Sequence, residues 1–338
     1  MIEVKKEGVI LNKSGLDFEN ESVLNPAAIR EGDSIHFFYR AVHFRNYSTI
    51  GYCRLDSPLH VAERDDKPFL KSEFDYESHG MEDPRIVKID GTYYLTYVAF
   101  DGVNALGALA TSVDLLHFKK AGIIVPKIKY TDFDRLTKNN KELNEKYLSY
   151  NEGANYLADK DLVFFPRRIN GKLTFLHRIK PDIQITAIND LGDLTDQFWE
   201  NYFSNFAENI ALAPKYPHEI CYLGSGCPPI ETEHGWLLIY HGVKAIENKF
   251  EYSCCVALLD IDDPRKEIAR LPYPLFKPEL DYELKGDVDD VCFPTGTALF
   301  DDKLYIYYGA ADELIACASV SLSGLLQELL ISMAVDDV

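Results

Sequence analysis

The sequence predicts an all-β protein, and more specifically a five-bladed β-propeller. Three observations lead to this prediction. Short runs of β-branched and aromatic residues recur along the 338-residue chain, which contains 21 Tyr and 19 Phe. Turn residues stand directly before these runs, as they do in β-hairpins. A proline-containing apolar segment precedes each hairpin, and these segments recur at intervals of roughly 60 residues, a period typical of propellers.

Five hairpin strands are predicted in order along the chain, each after a turn signal such as Asp90-Gly91 or Asn170-Gly171. Asn-Gly and Asp-Gly favour hairpin turns because those turns need positive φ angles. The predicted strands are Ile35–Tyr39, Tyr93–Tyr97, Leu173–His177, Trp236–Tyr240 and Leu304–Tyr308.

A shorter strand that begins at a proline is predicted before each hairpin. Proline at the beginning of a strand costs no ladder hydrogen bond. In a propeller the innermost strand of each blade lines the central channel, so we expect these five strands to converge on one axial site. The alternative fold is a β-sandwich with similar strand spacing, and the regular order of the repeats favours the propeller. The prolines are Pro26, Pro84, Pro166, Pro229 and Pro294.

One propeller domain over residues 1–338 is the predicted organisation. A polar insertion at about 126–160 separates the second and third repeats. Loops longer than about 12–15 residues are usually functional or disordered, so we expect a loop or short helix at the channel mouth. The stretch from Ser321 to Ile331 predicts a short C-terminal helix that closes the last blade.

Charge excludes several classes of partner. The chain has 54 acidic and 35 basic residues and a net charge of −19, which argues against nucleic-acid binding. An anionic membrane is an equally poor partner, and no apolar run approaches the roughly 18–20 residues that a membrane span needs. An anionic substrate would need a local basic pocket within this repulsive field.

The seven cysteines show neither metal-ligand spacing nor a disulfide framework, which fits buried thiols in a reducing compartment. The N-terminal residues lack the pattern of a signal peptide. We therefore expect a cytoplasmic protein without a bound metal.

An acidic motif, Gly80-Met81-Glu82-Asp83-Pro84-Arg85, lies in the second proline segment. Neighbouring residues of a strand point to opposite faces, so we expect only one of the two carboxylates to face the axis, and Asp83 to share a face with Arg85. An arginine beside a carboxylate lowers its pKa. The alternative is a structural ion pair that closes a blade.

Basic residues cluster around the third repeat and predict an anion site in this acidic protein. An exposed rim is the better interpretation for Arg167, Arg168 and Lys172. His241 ends the fourth hairpin strand, where it is either a ligand-facing or a structural histidine. Interleaved Tyr, Asn, Asp and Arg residues, including Asp312, would suit sugar recognition. The basic cluster consists of Lys160, Arg167, Arg168, Lys172, Arg178 and Lys180.

Five segments in order carry a resemblance to a known family: Gly80–Arg85, Asn170–Lys172 with His177-Arg178, Gly224–Ile230, Tyr240–Val243 and Tyr307–Asp312. Together they resemble glycoside hydrolase family 130, which contains β-mannoside phosphorylases and β-mannosidases on a five-bladed propeller. The resemblance runs from about Asn25 to Ala318, and the order and spacing of the segments make it specific.

The resemblance implies a role for individual residues. Asp83 matches the catalytic acid, which in the family is thought to protonate the glycosidic oxygen through the 3-hydroxyl of the sugar. The phosphate site falls on Lys160, Arg178 and His241, with Lys160 where an arginine commonly stands. The residues that match or resemble sugar-contacting positions are Tyr252, Asp312, Asn25, Arg40 and Ser48, and Arg85 completes the acidic motif.

The implied reaction is the inverting phosphorolysis of β-mannosides, either manno-oligosaccharides or mannosyl-glucose. Phosphate, the co-substrate, attacks the anomeric carbon in one displacement through an oxocarbenium-like transition state and releases mannose 1-phosphate. The basic residues stabilise the nucleophile, so neither a metal nor a cofactor is needed.

One departure leaves two alternatives open. Tyr222 stands where many family phosphorylases carry a lysine that helps to bind phosphate. A β-mannosidase, for example of β-1,2-mannosides, would replace phosphate with a water activated by a carboxylate. A non-catalytic glycan-binding propeller is the second alternative. The linkage, the acceptor sugar and the oligomeric state, including a homo-oligomer, stay open.

Overall fold

The computed structural model describes residues 2–137, 141–150, 155–247 and 249–336. Within these ranges the fold is all-β, with strands as the dominant element and short helices between them. The strands are β1 (Lys5–Leu11), β2 (Ser22–Glu31), β3 (Ser34–His43), β4 (Tyr47–Ser57), β5 (His60–Arg64), β6 (Gly80–Ile89), β7 (Thr92–Phe100), β8 (Ala105–Ser112), β9 (Lys119–Ile123), β10 (Lys160–Phe164), β11 (Leu173–Arg178), β12 (Ile183–Ile188), β13 (Ile210–Leu212), β14 (Tyr222–Ser225), β15 (Ile230–Thr232), β16 (Gly235–Ile246), β17 (Lys249–Leu259), β18 (Glu267–Arg270), β19 (Cys292–Phe300), β20 (Lys303–Ala310) and β21 (Leu314–Ser321). The helices are α1 (Tyr130–Leu136), α2 (Lys141–Leu148), α3 (Asp196–Ser204), α4 (Asp281–Leu284) and α5 (Leu322–Asp336).

The strands form five antiparallel meanders, which we call units one to five. Units one and two are β2–β5 and β6–β9, joined into one sheet by a single parallel pair between Ser48 and Gly80. Unit three is β10–β13. Unit four is β14–β18, in which β14 and β15 both pair with β16 and act as one interrupted first strand. Unit five is β19–β21, and β1 from the N-terminus pairs with β21 as its fourth strand.

The first strands of the units lie next to one another. β2 contacts β6, β6 contacts β10, and β10 contacts β14. In unit five, β19 contacts both β2 and the strands β16 and β17 of unit four. Side chains from the first strands of all five units can therefore face a common centre.

The prolines of units one and two lie at β-bulges inside the first strand, so the prediction that they begin the strand was wrong. Asn25 (φ 50°) precedes Pro26, and Asp83 (φ 48°) precedes Pro84. The pairing with the next strand shifts register at both places. A bulge redirects a side chain, and proline is tolerated there because no ladder hydrogen bond is lost.

Unit three corrects another expectation. Its first strand, β10, ends before Pro166, so this proline does not begin the strand. The bulge of β10 lies instead at Asp161, which has φ 52° and is followed by Leu162. The left-handed residue is therefore the feature that the three units share, and the proline after it is optional.

A buried carboxylate recurs in the units and was not apparent from the apolar pattern. In units one, two, four and five, a tyrosine of the second strand donates its hydroxyl to a buried glutamate from an earlier helical turn, over 2.6–2.8 Å. In unit three His177 and Asp159 form the corresponding pair at 2.9 Å. The tyrosine–glutamate pairs are Tyr39–Glu19, Tyr97–Glu77, Tyr240–Glu219 and Tyr308–Glu283.

Each of those four glutamates also pairs with a cation on the fourth strand of its unit. The cations are Arg64, Lys120, Arg270 and Lys6, respectively. A buried charge costs several kcal/mol unless it is paired and hydrogen-bonded. The pairs therefore tie the helical turn, the second strand and the fourth strand of a unit together.

Apolar side chains fill the spaces between neighbouring units. Phe37 of unit one packs edge-on against Tyr307 of unit five, with ring centroids 4.6 Å apart. Phe165, after β10, meets Trp236 of unit four at 5.0 Å. The core is thus built from the faces of adjacent sheets.

The predicted insertion carries α1 and α2, and residues 138–140 and 151–154 of it lie outside the described residues. Phe133 of α1 packs on Phe203 and Phe206 beside unit three. Among the described helices, none has the length and apolar character to cross a membrane.

Candidate active site

A cavity of about 220 Å³ lies where the first strands meet. Four carboxylates and four cations line it together with aromatic and aliphatic side chains. Larger surface grooves of about 420, 630 and 640 Å³ lie elsewhere among the described residues, but none of these three is lined by residues from all five units. The cavity is lined by Asn25, Arg40, Glu82, Asp83, Lys160, Asp161, Arg178, Lys180, Tyr222, Tyr252, Val288, Val291, Phe293 and Asp312.

The structure brings most of the predicted site residues to this cavity. Ser48, Arg85 and His241 are the predicted residues that are buried outside its lining. The functional roles of these three residues and of the seven that line the cavity stay predictions. The seven that line the cavity are Asn25, Arg40, Asp83, Lys160, Arg178, Tyr252 and Asp312.

Asp83 is held at the cavity wall by residues of unit one. Its Oδ1 accepts a hydrogen bond from Asn25 Nδ2 at 2.7 Å and lies 3.6 Å from Arg40 Nη1. Burial pushes the pKa of Asp83 upward, but the charges of Arg40 and Arg85 and the Asn25 hydrogen bond outweigh it, and the pKa falls below its ordinary value. Without a bound anion, Asp83 is therefore ionised near neutral pH.

Both Glu82 and Asp83 face the cavity, so the expectation that only one carboxylate would do so was wrong. The left-handed backbone at Asp83 interrupts the alternation of the strand. Glu82 accepts a hydrogen bond from Arg40 Nη2 at 2.8 Å and lies 3.6 Å from Lys160 Nζ. Sequence reasoning missed Glu82 because it assumed a regular strand.

Arg85 does not share the cavity face with the Asp83 side chain, because the same bulge separates them. Its buried guanidinium donates to the backbone carbonyls of Gly226 at 2.5 Å and Asp83 at 2.7 Å. It therefore links unit two to unit four behind the cavity. In this position Arg85 supports the site and does not reach into it.

Arg40 joins a further predicted residue to the site. Its Nε donates to the hydroxyl of Ser48 at 2.8 Å, while its Nη2 reaches Glu82. Ser48 is fully buried behind Arg40. Ser48 therefore orients the guanidinium from behind.

Asp161 is the second functional candidate that sequence reasoning missed. It occupies the bulge of β10 as Asp83 occupies that of β6, and its Oδ2 lies 3.0 Å from Arg178 Nε and 3.7 Å from His241 Nε2. A Cβ at Gly224 would come within 2.3 Å of this oxygen, so only glycine fits there. The signal in the sequence was Lys160-Asp161-Leu162, which matches Glu82-Asp83-Pro84 in position.

His241 is fully buried and packs on Phe293, with ring centroids 4.3 Å apart. Among the described residues, neither of its ring nitrogens has a hydrogen-bond partner. Burial, reinforced by the charges of Arg178 and Arg85, pushes the pKa of His241 far below its ordinary value. The ring is therefore neutral at pH 7 and retains hydrogen-bonding capacity.

Two tyrosines of unit four form an aromatic wall. The hydroxyls of Tyr222 and Tyr252 hydrogen-bond to each other. Two cations also lie over the ring of Tyr222: Lys180 Nζ is 4.4 Å from the ring centroid, and the guanidinium carbon of Arg178 is 5.6 Å from it. Such cation–π contacts stabilise positive charge at the wall.

Asp312 is the carboxylate that unit five contributes to the cavity lining. Burial raises its pKa, Arg40 opposes that change, and the negative charges of Asp83 and Glu82 add to it, so that the pKa of Asp312 reaches about 6. Asp83 and Asp312 thus have pKa values shifted in opposite directions within one cavity. Carboxylates whose environments separate their pKa values are typical of acid–base sites.

A group of metal-ligand residue types, His218, Glu219 and Cys255, lies away from the cavity. The Glu219 carboxylate already accepts hydrogen bonds from Tyr240 and Arg270, at 2.6 and 2.8 Å. Arg270 supplies the positive charge that a metal would bring. The group is therefore structural.

Relatives with curated names match this chain over almost its full length. A 1,2-beta-oligomannan phosphorylase of Thermoanaerobacter sp. (strain X514) is 32% identical over 94% of this chain and 97% of that protein. A beta-1,2-mannobiose phosphorylase of the same organism is 35% identical over 90% and 91%. Among solved structures, the beta-1,2-mannobiose phosphorylase of Listeria innocua in complex with beta-1,2-mannobiose has a similar fold, with a TM-score of 0.76, 23% identity, and coverage of 98% and 100%.

A family model agrees with these relatives. The model of glycoside hydrolase family 130, described as beta-1,4-mannooligosaccharide phosphorylase, matches residues 9–329. This range contains strands β2 to β21 and every residue that lines the cavity. The chain belongs to glycoside hydrolase family 130.

Proposed function

We propose that this protein is an inverting β-mannoside phosphorylase whose active site is the charged cavity. Phosphate would attack the anomeric carbon of a β-mannoside and release mannose 1-phosphate. The relatives that match nearly the whole chain carry phosphorylase names, which supports this reaction. The alternatives from the sequence, a β-mannosidase and a non-catalytic glycan-binding protein, are outcomes of the test below.

The distribution of charge in the cavity is the observation that carries the proposal. Arg178, Lys160 and Lys180 come from unit three, and the neutral His241 lies beside them on unit four. Asp83 lies with Asn25 and Arg40 of unit one. A phosphate would bind among the cations of unit three, and the mannoside would lie against Asp83.

Proton transfer follows from the electrostatics. Asp83 is ionised in the ligand-free protein because Arg40 and Arg85 lower its pKa. A bound phosphate would neutralise part of the nearby positive charge, and the pKa of Asp83 would rise. Asp83 would then take up a proton and deliver it to the leaving oxygen through the 3-hydroxyl of the mannose, as the resemblance implies. The binding of phosphate and the protonation of Asp83 are thus coupled.

Arginine and lysine would bind the phosphate in different ways. Arg178 presents a planar fork that can hold two phosphate oxygens, while a lysine acts as a point charge. Asp161, 3.0 Å from Arg178 Nε, fixes the direction of that fork. Preorganised cations of this kind bind and orient the phosphate nucleophile without reorganisation, so the step requires no metal ion.

β-1,2-Mannosides are the substrate that we propose. The relatives named for 1,2-linked substrates match 90% or more of this chain. A beta-1,4-mannooligosaccharide phosphorylase of Ruminococcus albus matches only 49% of it, at 35% identity. β-1,4-Mannosides are therefore the comparison substrate in any assay.

The five units support the five-bladed propeller that the sequence predicted, as a single domain. Their first strands contact one another, β19 returns to β2, and β1 completes the last unit. The recurring pair of a buried carboxylate with a second-strand side chain is what a fivefold repeat would produce. The seven free cysteines fit the expected reducing, cytoplasmic setting.

The test is to incubate β-1,2- and β-1,4-mannobiose with the purified protein, with and without phosphate, and identify the products. The proposal predicts mannose 1-phosphate only when phosphate is present, and faster turnover of the β-1,2 isomer. Free mannose at a rate independent of phosphate would make the protein a β-mannosidase. Sugar binding without turnover would make it a glycan-binding protein.

A further inference from the structure

We propose that Lys180 is a further phosphate-binding residue, which supplies from unit three the positive charge that Tyr222 does not supply from unit four. The inference rests on the proposed phosphorylase function. It concerns a residue that the family resemblance did not assign. It also explains how an anion site can persist with a tyrosine at position 222.

The position of Lys180 supports this role. Lys180 lines the cavity and follows Arg178 by two residues at the end of β11. Both side chains approach the same ring of Tyr222, Lys180 Nζ at 4.4 Å and the guanidinium carbon of Arg178 at 5.6 Å. Two cations from one strand end are thus gathered at one aromatic wall.

The identity of residue 222 decides whether these cations can share the wall. The face of a tyrosine ring attracts a cation, so Tyr222 favours the observed positions of Lys180 and Arg178. A lysine at 222 would add a third positive charge beside them, and like charges at this range repel one another. Tyr222 and Lys180 therefore act together. The positive charge comes from Lys180, after β11, and the ring of Tyr222 holds the ammonium at the cavity wall.

The electrostatic effect of Lys180 on His241 also supports a role in phosphate binding. The pKa of His241 is lowered by burial first and then by Arg178 and Arg85, and Lys180 contributes in the same direction. The positive charge of Lys180 therefore acts on the same buried group as that of Arg178. A phosphate placed beside Arg178 and His241 would lie within the field of Lys180.

The chemistry suits a dianion. Arg178 can hold two oxygens in its fork, and the ammonium of Lys180 can donate to a third from beside the tyrosine ring. Global repulsion from a net charge of −19 makes each local cation important for phosphate capture.

The first experiment compares Lys180→Met with a matched lysine variant, Lys172→Met, which changes an exposed residue outside the cavity. Initial rates are measured against phosphate and, separately, against the mannoside. Because a hydrogen bond to a charged group is lost, we expect the phosphate KM of Lys180→Met to rise about 10- to 100-fold. The mannoside KM should change by less than about threefold, and Lys172→Met should behave as the wild type.

Two further variants guard against a general structural effect. Lys180→Arg keeps the charge and should retain a phosphate KM within a few-fold of the wild type. The double variant Tyr222→Lys/Lys180→Met returns a positive charge to the wall and should recover most of the phosphate affinity that Lys180→Met loses. Such recovery cannot come from a merely structural role.

The outcomes separate this inference from the proposed function. A phosphate-dependent wild type whose Lys180→Met variant has an unchanged phosphate KM would overturn the inference and leave the phosphorylase intact. An equal rise in the KM of phosphate and mannoside, without rescue by Lys180→Arg, would also overturn it. A wild-type rate that does not depend on phosphate would refute both.

Discussion

Replacing Asp312 by asparagine should make the protein more stable at pH 7.5. Burial raises the pKa of Asp312 from an ordinary 3.8 to about 6, against the pull of Arg40 and with help from Asp83 and Glu82. The folded state thus holds its proton more tightly than the unfolded state, and stability is lost as the pH rises through the folded pKa. Asparagine does not ionise, so the variant keeps its unfolding free energy as the pH rises.

The magnitude follows from the shift. A shift of about two pKa units corresponds to about 3 kcal/mol at pH 7.5, where the carboxylate is ionised in both states. At pH 4.5 the folded carboxyl is still protonated, and the difference falls to about 1 kcal/mol. Asp312→Asn should therefore gain up to about 3 kcal/mol of unfolding free energy at pH 7.5 and much less at pH 4.5.

Urea unfolding at the two pH values, followed by fluorescence of the two tryptophans, measures this difference. Asp33→Asn, at an exposed position outside the cavity, is the matched control and should leave the unfolding free energy nearly unchanged. An Asp312→Asn variant that is equally or less stable than the wild type at pH 7.5 would refute the electrostatic reasoning. The activity of the variant should fall, because a site residue often trades stability for function.

Three other changes have defined outcomes. Asp83→Asn should reduce kcat by about 10²- to 10⁴-fold, since positioned acid catalysis is lost, while sugar binding measured by calorimetry persists; near wild-type turnover would contradict the assignment. Arg178→Ala should raise the phosphate KM far more than the mannoside KM in steady-state assays, and equal effects on both would count against its role. Glu219→Gln should lower the unfolding free energy by about 1.5–3 kcal/mol in urea titrations, because Arg270 and Tyr240 lose a buried carboxylate partner while Arg270 keeps Glu267, and an unchanged midpoint would show that the pair is dispensable.

The strands that the sequence predicted correctly are those with strong local signals. Runs such as Trp236–Tyr240 follow a turn residue and consist of strand formers, so local chemistry alone places them in β16. The order of the five hairpins followed for the same reason. Their arrangement around a common centre came from the repeat and the family resemblance.

The bulges were beyond this reasoning, because they break the alternation on which strand prediction depends. The left-handed backbone at Asp83 turns both Glu82 and Asp83 toward the cavity and sends Arg85 behind it. Asp161 was missed because Leu162 follows it instead of proline. Comparing the repeats by their acidic residue, and not by their proline, would have found Asp161.

The buried glutamates were missed for a different reason. Glu19 and Glu77 lie in short polar turns that resemble surface loops in the sequence. Their burial depends on a tyrosine 20 residues later and on a cation from the fourth strand. Only tertiary structure brings these three groups together, although the equal spacing from glutamate to tyrosine in units one and two was a detectable signal.

The dependence of turnover on phosphate distinguishes a phosphorylase from a hydrolase most directly. The decisive measurement is the initial rate of β-1,2-mannobiose breakdown over a range of phosphate concentrations, with both mannose and mannose 1-phosphate quantified. The phosphorylase predicts a rate that saturates with phosphate and vanishes without it, and one mannose 1-phosphate for each mannose released. A rate that is constant across all phosphate concentrations, with free mannose as the sole product, would contradict it.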